Sequence, residues 1–191
     1  MTEAFFTSIA VVALAEIGDK TMLLAIVLAA RLRAPWQILA GILVATMANH
    51  ALAALVGSEV AGLVDAPWFR VAVALGFIAM AAWTLVPDKL DDDDNGIRHR
   101  GSAFVTTLVA FFLVEMGDKT QIATIALGAQ YHSVLAVAAG TTIGMMLANG
   151  PAVFLGEGLV RRISLKWTRI TAAMLFLLLG LWQLASVTGL I

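Results

Sequence analysis

At 191 residues, 61% of them hydrophobic and only 13% charged, with a mean hydropathy of +0.93, the chain is too apolar for a water-soluble domain of its size. A net charge of −1, with no basic patch, no interleaved aromatic and basic residues and no Gly-rich phosphate loop, gives nucleic acid no footing as a partner. There are no cysteines, which excludes disulfides and thiolate metal sites and argues against a carrier for soft ions such as copper(I).

Apolar runs long enough to cross a bilayer recur along the chain and predict an all-α integral membrane protein with six transmembrane helices. The first covers residues 5–30 and ends at Arg31 and Arg33. It lacks a basic n-region and holds Glu16, Asp19 and Lys20, so it reads as a retained helix and not a signal peptide. The second, 36–56, includes Thr46, Asn49 and His50; the third, 68–86, is closed by Pro87. Residues 88–101, with Asp91, Asp92, Asp93 and Asp94, form an acidic linker near the midpoint. The fourth span, 102–129, the fifth, 134–155, and the sixth, 170–190, complete the set.

The first, third and fifth links hold nine of the Lys and Arg residues, while the opposite side holds only Arg70. Short cytoplasmic loops carry the positive excess, so both termini are expected to face away from the cytoplasm and the acidic linker into it. Trp36, Trp68 and Trp167 fall at span ends, as in an interfacial aromatic belt.

The spans divide into a first three-helix repeat over 1–87 and a second over 102–191. Glu16-Ile17-Gly18-Asp19-Lys20-Thr21 returns as Glu115-Met116-Gly117-Asp118-Lys119-Thr120, with five of six residues kept. Ala40-Gly41 matches Ala139-Gly140, Gly57 matches Gly156, and Ala48-Asn49 matches Ala148-Asn149 with a one-residue slip. Three spans return the chain to the other side, so the second repeat is expected to be inverted, with the substrate site at the midplane. A charged side chain at that depth costs a few kcal/mol or more and marks a transport path.

On a continuous helix, acids three apart share one face and a lysine four on from the glutamate can partly neutralise its own motif. Gly18 and Gly117 would let a facing helix or an ion come close, and Thr21 and Thr120 offer oxygen. If the motifs meet, four carboxylates and several neutral oxygens form the ligand set of a hard divalent cation such as Mn2+, Ca2+ or Mg2+. Four carboxylates against two ammonium groups leave two negative charges, which one divalent cation or two protons would cancel. Carboxylates crowded at low dielectric are not all charged without a cation, so cation/proton exchange is expected.

The doubled Glu-x-Gly-Asp-Lys-Thr motif, one copy in each half with an acidic loop between, resembles the Gdt-one family of cation/proton exchangers. That family includes Golgi and chloroplast manganese and calcium transporters and bacterial manganese exporters of the MneA type. The resemblance covers essentially the whole chain. It implies six membrane helices and exchange of Mn2+ or Ca2+ for protons, in the compact bacterial form manganese export across the inner membrane. It also implies a metal site of Glu16, Asp19, Glu115 and Asp118, accompanied by Lys20, Thr21, Lys119 and Thr120. No prosthetic group is expected, only the transported ion, protons and the lipid bilayer; a homodimer stays open.

Each signal has a plainer reading. The Glu–Lys pairs could glue helices, although a buried pair stabilises poorly. Asn49 and Asn149 either hydrogen-bond between helices or line the path. His50 reads as a satisfied core histidine more than a proton relay, since the second half carries Gly150 in its place. Gly150-Pro151 is expected to kink the fifth helix, the aspartate run to be a solvated loop or a cation trap, and Gly140 and Gly144 to mark a close helix contact. Two other classes stand beside the exchanger. One is an exporter of an amino acid or organic cation, for which only Trp83 and Trp182 are at hand as cage residues; the other is a scaffold or intramembrane enzyme. No zinc-protease pattern or nucleophile elbow supports an enzyme.

Overall fold

The computed structural model describes residues 1–63, 67–86, 101–156 and 164–189, so the Asp91 to Asp94 run lies outside the described residues. Among these residues there are eight helices and no strand: α1 (Thr2–Glu16), α2 (Lys20–Leu32), α3 (Pro35–Leu63), α4 (Pro67–Thr84), α5 (Ala103–Glu115), α6 (Lys119–Tyr131), α7 (Val134–Leu155) and α8 (Leu165–Val187). α3, α7 and α8 are each long and apolar enough to cross a membrane, and α4 and α5 are shorter apolar helices.

The expected continuous first and fourth helices are each broken, and the break falls inside the motif in both. α1 stops at Glu16 because Ile17 is extended (φ −65°, ψ 109°), Gly18 takes φ +86° and Asp19 (ψ 169°) starts α2 as its N-cap. The second copy repeats this with Met116 (φ −64°, ψ 117°), Gly117 at φ +79° and Asp118 (ψ 164°). The positive φ is open to glycine and costs an L-residue about 1–2 kcal/mol, so glycine shapes the turn here. The Asp19 N–H donates to the Glu16 carbonyl at 3.0 Å and the Asp118 N–H to the Glu115 carbonyl at 3.1 Å, closing both turns. The acids of each motif therefore do not share a helix face: the glutamate ends one half-helix and the aspartate begins the next.

Packing exchanges partners between the two halves of the chain: α1 and α2 lie against α7, while α5 and α6 lie against α3. A Cβ at Gly140 would come 2.5 Å from the Phe5 carbonyl oxygen and 2.8 Å from Ser8 Cβ, and one at Gly144 2.8 Å from the Ile9 carbonyl oxygen. The register advances in step, so α1 and α7 run parallel, and the expected close contact at Gly140 and Gly144 is real. On α3, a Cβ at Gly41 would come 2.8 Å from the Phe104 carbonyl oxygen and from Thr107 Cβ. Phe104, Thr107 and Gly140 stand 99 positions after Phe5, Ser8 and Gly41, so one contact is built twice. α4 pairs with α8, where Phe77 stacks on Phe176 at 6.5 Å, again 99 positions away. α7 continues as helix through Pro151.

Two apolar clusters are separated along the half-helices. One draws on α1 and α6 (Val11, Leu127), the other on α2 and α5 (Leu24, Leu28, Phe111), with the motif turns between. Large apolar side chains such as Leu52, Leu147 and Leu178 face outward, while Thr46, Asn49, His50, Thr124, Thr141 and Asn149 are buried. That reversal of the water-soluble pattern is what a bilayer requires, since polar groups must find their partners inside the bundle. Trp36, Trp68 and Trp167 all sit exposed in the first turns of their helices.

Candidate metal centre

Both turns bring the motif acids together across the halves; the acids are buried in each, and Gly18 is buried too, while Met116 and Gly117 of the second turn are exposed. Glu16 and Glu115 are fully enclosed, and Asp19 and Asp118 are 5% and 4% exposed. Glu16, Asp19 and Asp118 each offer a carboxylate oxygen within 4.8 Å of one another. Glu115 stands outside this group of three but is coupled to it: the Thr120 hydroxyl lies 3.3 Å from Glu115 Oε2 and 3.2 Å from Asp118 Oδ2. In the first motif the Thr21 hydroxyl donates to Glu16 Oε2, the same pairing one repeat earlier.

The half-helix ends shape the field at this point. α2 and α6 start here, and their positive N-terminal ends favour the carboxylates of Asp19 and Asp118; the Thr120 N–H donates to Asp118 Oδ2 at 3.4 Å. α1 and α5 end here, and their C-terminal carbonyls add a negative end that favours a cation. Lys20 does not serve its own motif alone, because its Nζ reaches Asp118 Oδ1 of the other copy at 3.1 Å. Lys119 donates to the Val86 carbonyl at 3.2 Å and lies 5.8 Å from the centre of the Trp83 ring, so that indole is already engaged by the chain's own ammonium group. A small crevice lined by Gly18, Asp19, Thr84, Lys119 and Arg169 reaches the first turn.

The two asparagines part company. Asn149 Nδ2 lies 3.4 Å from Glu16 Oε2 and so belongs to the site, whereas Asn49 Nδ2 donates to the Phe112 carbonyl at 3.1 Å and ties α3 to α5. The residue that answers to Asn149 is His50, 99 positions earlier, whose Nε2 lies 3.8 Å from Glu115 Oε2. Both pairings set with a one-residue slip, Asn49 with Asn149 and His50 with Gly150, are thereby corrected. Nor is His50 a satisfied core residue: neither ring nitrogen has a hydrogen-bond partner among the described residues. Glu16 Oε1, Glu115 Oε1 and Asn149 Oδ1 are likewise buried without a hydrogen-bond partner there. Buried polar atoms left open in this way call for a ligand or water. Clustered carboxylates, hydroxyls and an amide carbonyl are the donors of a hard divalent cation.

The sequence pattern of the family described as Divalent cation/proton antiporter GDT1 matches residues 4–92 and 103–189. The chain belongs to this family. It is 50% identical over 175 residues to a Vibrio cholerae protein named "Putative manganese exporter", covering 91% of this chain and 86% of that one. It is 30% identical to GDT1-like protein sll0615 of Synechocystis sp., over 93% and 95% of the two chains, and 28% identical to GDT1-like protein 5 of Arabidopsis thaliana, over 97% of each. No solved structure matches it. The family is one of transporters of divalent cations, not of enzymes.

The sequence carried the signal for His50. A fixed offset of 99 aligns all five identical motif residues, Gly41 with Gly140 and Gly57 with Gly156, and it puts His50 opposite Asn149 without a slip. The identity of the two asparagines hid it.

Proposed function

We propose that the protein exchanges a divalent cation, Mn2+ above Ca2+, for protons and exports manganese from the cytoplasm of a bacterium across its inner membrane. Glu16, Asp19, Asp118 and Glu115 bind the cation, aided by Thr21, Thr120 and Asn149, and the same carboxylates take up protons when it leaves. The observation that carries this is the convergence of three buried carboxylate oxygens, drawn from both halves of the chain, within 4.8 Å of one another. The Vibrio cholerae relative's name supports manganese as the cargo and export as the direction.

The exchange of packing partners at a constant offset supports two repeats, 1–87 and 102–191, inverted about the site and joined by the acidic linker. In this reading α1 with α2 makes one crossing and α5 with α6 another. Neither half-helix alone reaches the roughly 20 residues of a span, and with α3, α4, α7 and α8 the crossings number six. The charge of the links supports termini outside the cytoplasm.

Purified protein in proteoliposomes with an acidic lumen tests this. Mn2+ added outside should enter and the lumen should turn alkaline in step; Ca2+ should compete, and Mg2+ less so. Glu115→Gln and Asp19→Asn should abolish both signals. Mn2+ entry with no accompanying proton movement would overturn the exchange, and no cation flux at all would overturn the transporter.

A further inference from the structure

We propose that His50 is a nitrogen ligand of the transported cation and sets the preference for Mn2+ over Ca2+ and Mg2+. This rests on the reading that the motif acids bind the cargo, and adds a residue outside both motifs.

Position is the first argument. His50 lies on α3 and stands to Glu115 as Asn149 on α7 stands to Glu16: Nε2 is 3.8 Å from Glu115 Oε2, and Asn149 Nδ2 is 3.4 Å from Glu16 Oε2. Both residues are fully buried, and the two positions are separated by the offset that relates the motifs. One half thus offers a hard amide at this place and the other an imidazole.

Unmet bonding capacity is the second. His50 is completely enclosed, yet neither ring nitrogen has a hydrogen-bond partner among the described residues, and Glu115 Oε1 beside it has none either. A histidine kept for packing or for tying helices would spend at least one nitrogen on a carbonyl or hydroxyl, as Asn49 does on Phe112. Atoms bound to one cation at about 2.0–2.6 Å lie roughly 3–5 Å apart, and the 3.8 Å between Nε2 and Glu115 Oε2 falls in that range. Glu115 and His50 stand outside the three carboxylates that lie within 4.8 Å of one another, but the Thr120 hydroxyl links Glu115 to Asp118 of that group, which puts the imidazole on the Glu115 side of the site.

Chemistry supplies the consequence. Ca2+ and Mg2+ take oxygen ligands almost exclusively, whereas a first-row transition ion accepts imidazole, and affinity for sites that include nitrogen rises along that series from Mn2+. One nitrogen among carboxylates therefore tilts an oxygen site away from Ca2+ and Mg2+ and toward Mn2+. His50→Asn would make the two halves alike at this position and return an all-oxygen site.

The test uses Mn2+ alone on the full chain in lipid nanodiscs, read by pulsed electron spin resonance. Bound Mn2+ should show nitrogen modulation of the imidazole type that changes when the protein is labelled with 15N-histidine, and His50→Asn and His50→Gln should lose it. In proteoliposomes the ratio of Mn2+ to Ca2+ uptake should fall roughly tenfold or more in His50→Asn. Mn2+ bound to the wild-type protein with no histidine modulation overturns the proposal even if every variant misfolds, as does an unchanged ion ratio in a folded His50→Asn protein. No Mn2+ binding by the wild-type protein would instead overturn the cargo assignment beneath it.

Discussion

Gly18→Ala and Gly117→Ala decide whether the motif is a helix break, because the two alternatives predict opposite signs. If α1 ran straight into α2, replacing a mid-helix glycine by alanine would stabilise the protein by about 0.8–1.0 kcal/mol. With Gly18 at φ +86° and Gly117 at φ +79°, alanine instead meets the left-handed penalty of about 1–2 kcal/mol. The variants should also differ from each other. A Cβ at Gly117 meets nothing within 4 Å, so only the backbone term applies, whereas one at Gly18 would lie 2.6 Å from Leu165 Cδ2. Turning that leucine aside adds about 0.5–1.5 kcal/mol. Gly117→Ala should therefore lose about 1–2 kcal/mol and Gly18→Ala about 1.5–3.5 kcal/mol, measured by reversible unfolding in mixed micelles. Cation flux should fall in both, since the turn sets the distance from glutamate to aspartate. Either variant proving as stable as wild type would refute the broken-helix geometry.

Three further outcomes follow from single contacts. Lys20 pairs with Asp118 at 3.1 Å while 25% exposed, so a double-mutant cycle with Lys20→Met and Asp118→Asn should give a coupling of about 1–2 kcal/mol, between exposed and buried pairs; additive losses would deny the bridge. Gly140→Ala places a Cβ 2.5 Å from a backbone oxygen of α1 that cannot turn aside, and should cost about 1–3 kcal/mol in the same unfolding assay, while Gly76→Ala, with nothing within 4 Å, should not destabilise. Asn149→Ala removes a donor to Glu16 and should weaken Mn2+ binding, measured by calorimetry, whereas Asn49→Ala should lower stability by about 1 kcal/mol and leave Mn2+ affinity unchanged; the reverse pattern would undo their separation.

The all-helical class, the family and the two acidic motifs were legible in the residues, because composition and an exact repeat of Glu-x-Gly-Asp-Lys-Thr are direct signals. The break in the motif was not. Hydropathy carries straight through residues 5–30, and one glycine in an apolar run is as often tolerated within a helix as it is a terminator, so the positive φ of Gly18 left no separate mark. Only the aspartate after it, a favoured N-cap, hinted at a second helix start. The cross-pairing of Lys20 was hidden for a related reason: helical spacing assigns a lysine to its own glutamate, and only the turn frees it to reach Asp118.

The turn also explains what the motif gains by not being a helix. In an unbroken helix the main-chain groups beside Glu16 and Asp19 would be consumed by their own ladder, leaving only side chains to face a cation. Ending α1 at Glu16 and starting α2 after Asp19 exposes one half-helix's carbonyls and the next one's N–H groups at a single point, so the fixed backbone dipoles hold carboxylates in place and still welcome positive charge. Two such turns, at dihedral angles within about 10° of each other and 99 residues apart, need only a packing arrangement that sets one beside the other. α3 and α7 provide it, each running along the partner half's broken helix through glycine contacts and ending up with His50 or Asn149 against its glutamate. The repeated part of the chain thus builds the common charge cluster. Beside each motif glutamate the copies differ in one buried polar residue, His50 against Asn149, and that is where a choice between cations can be made.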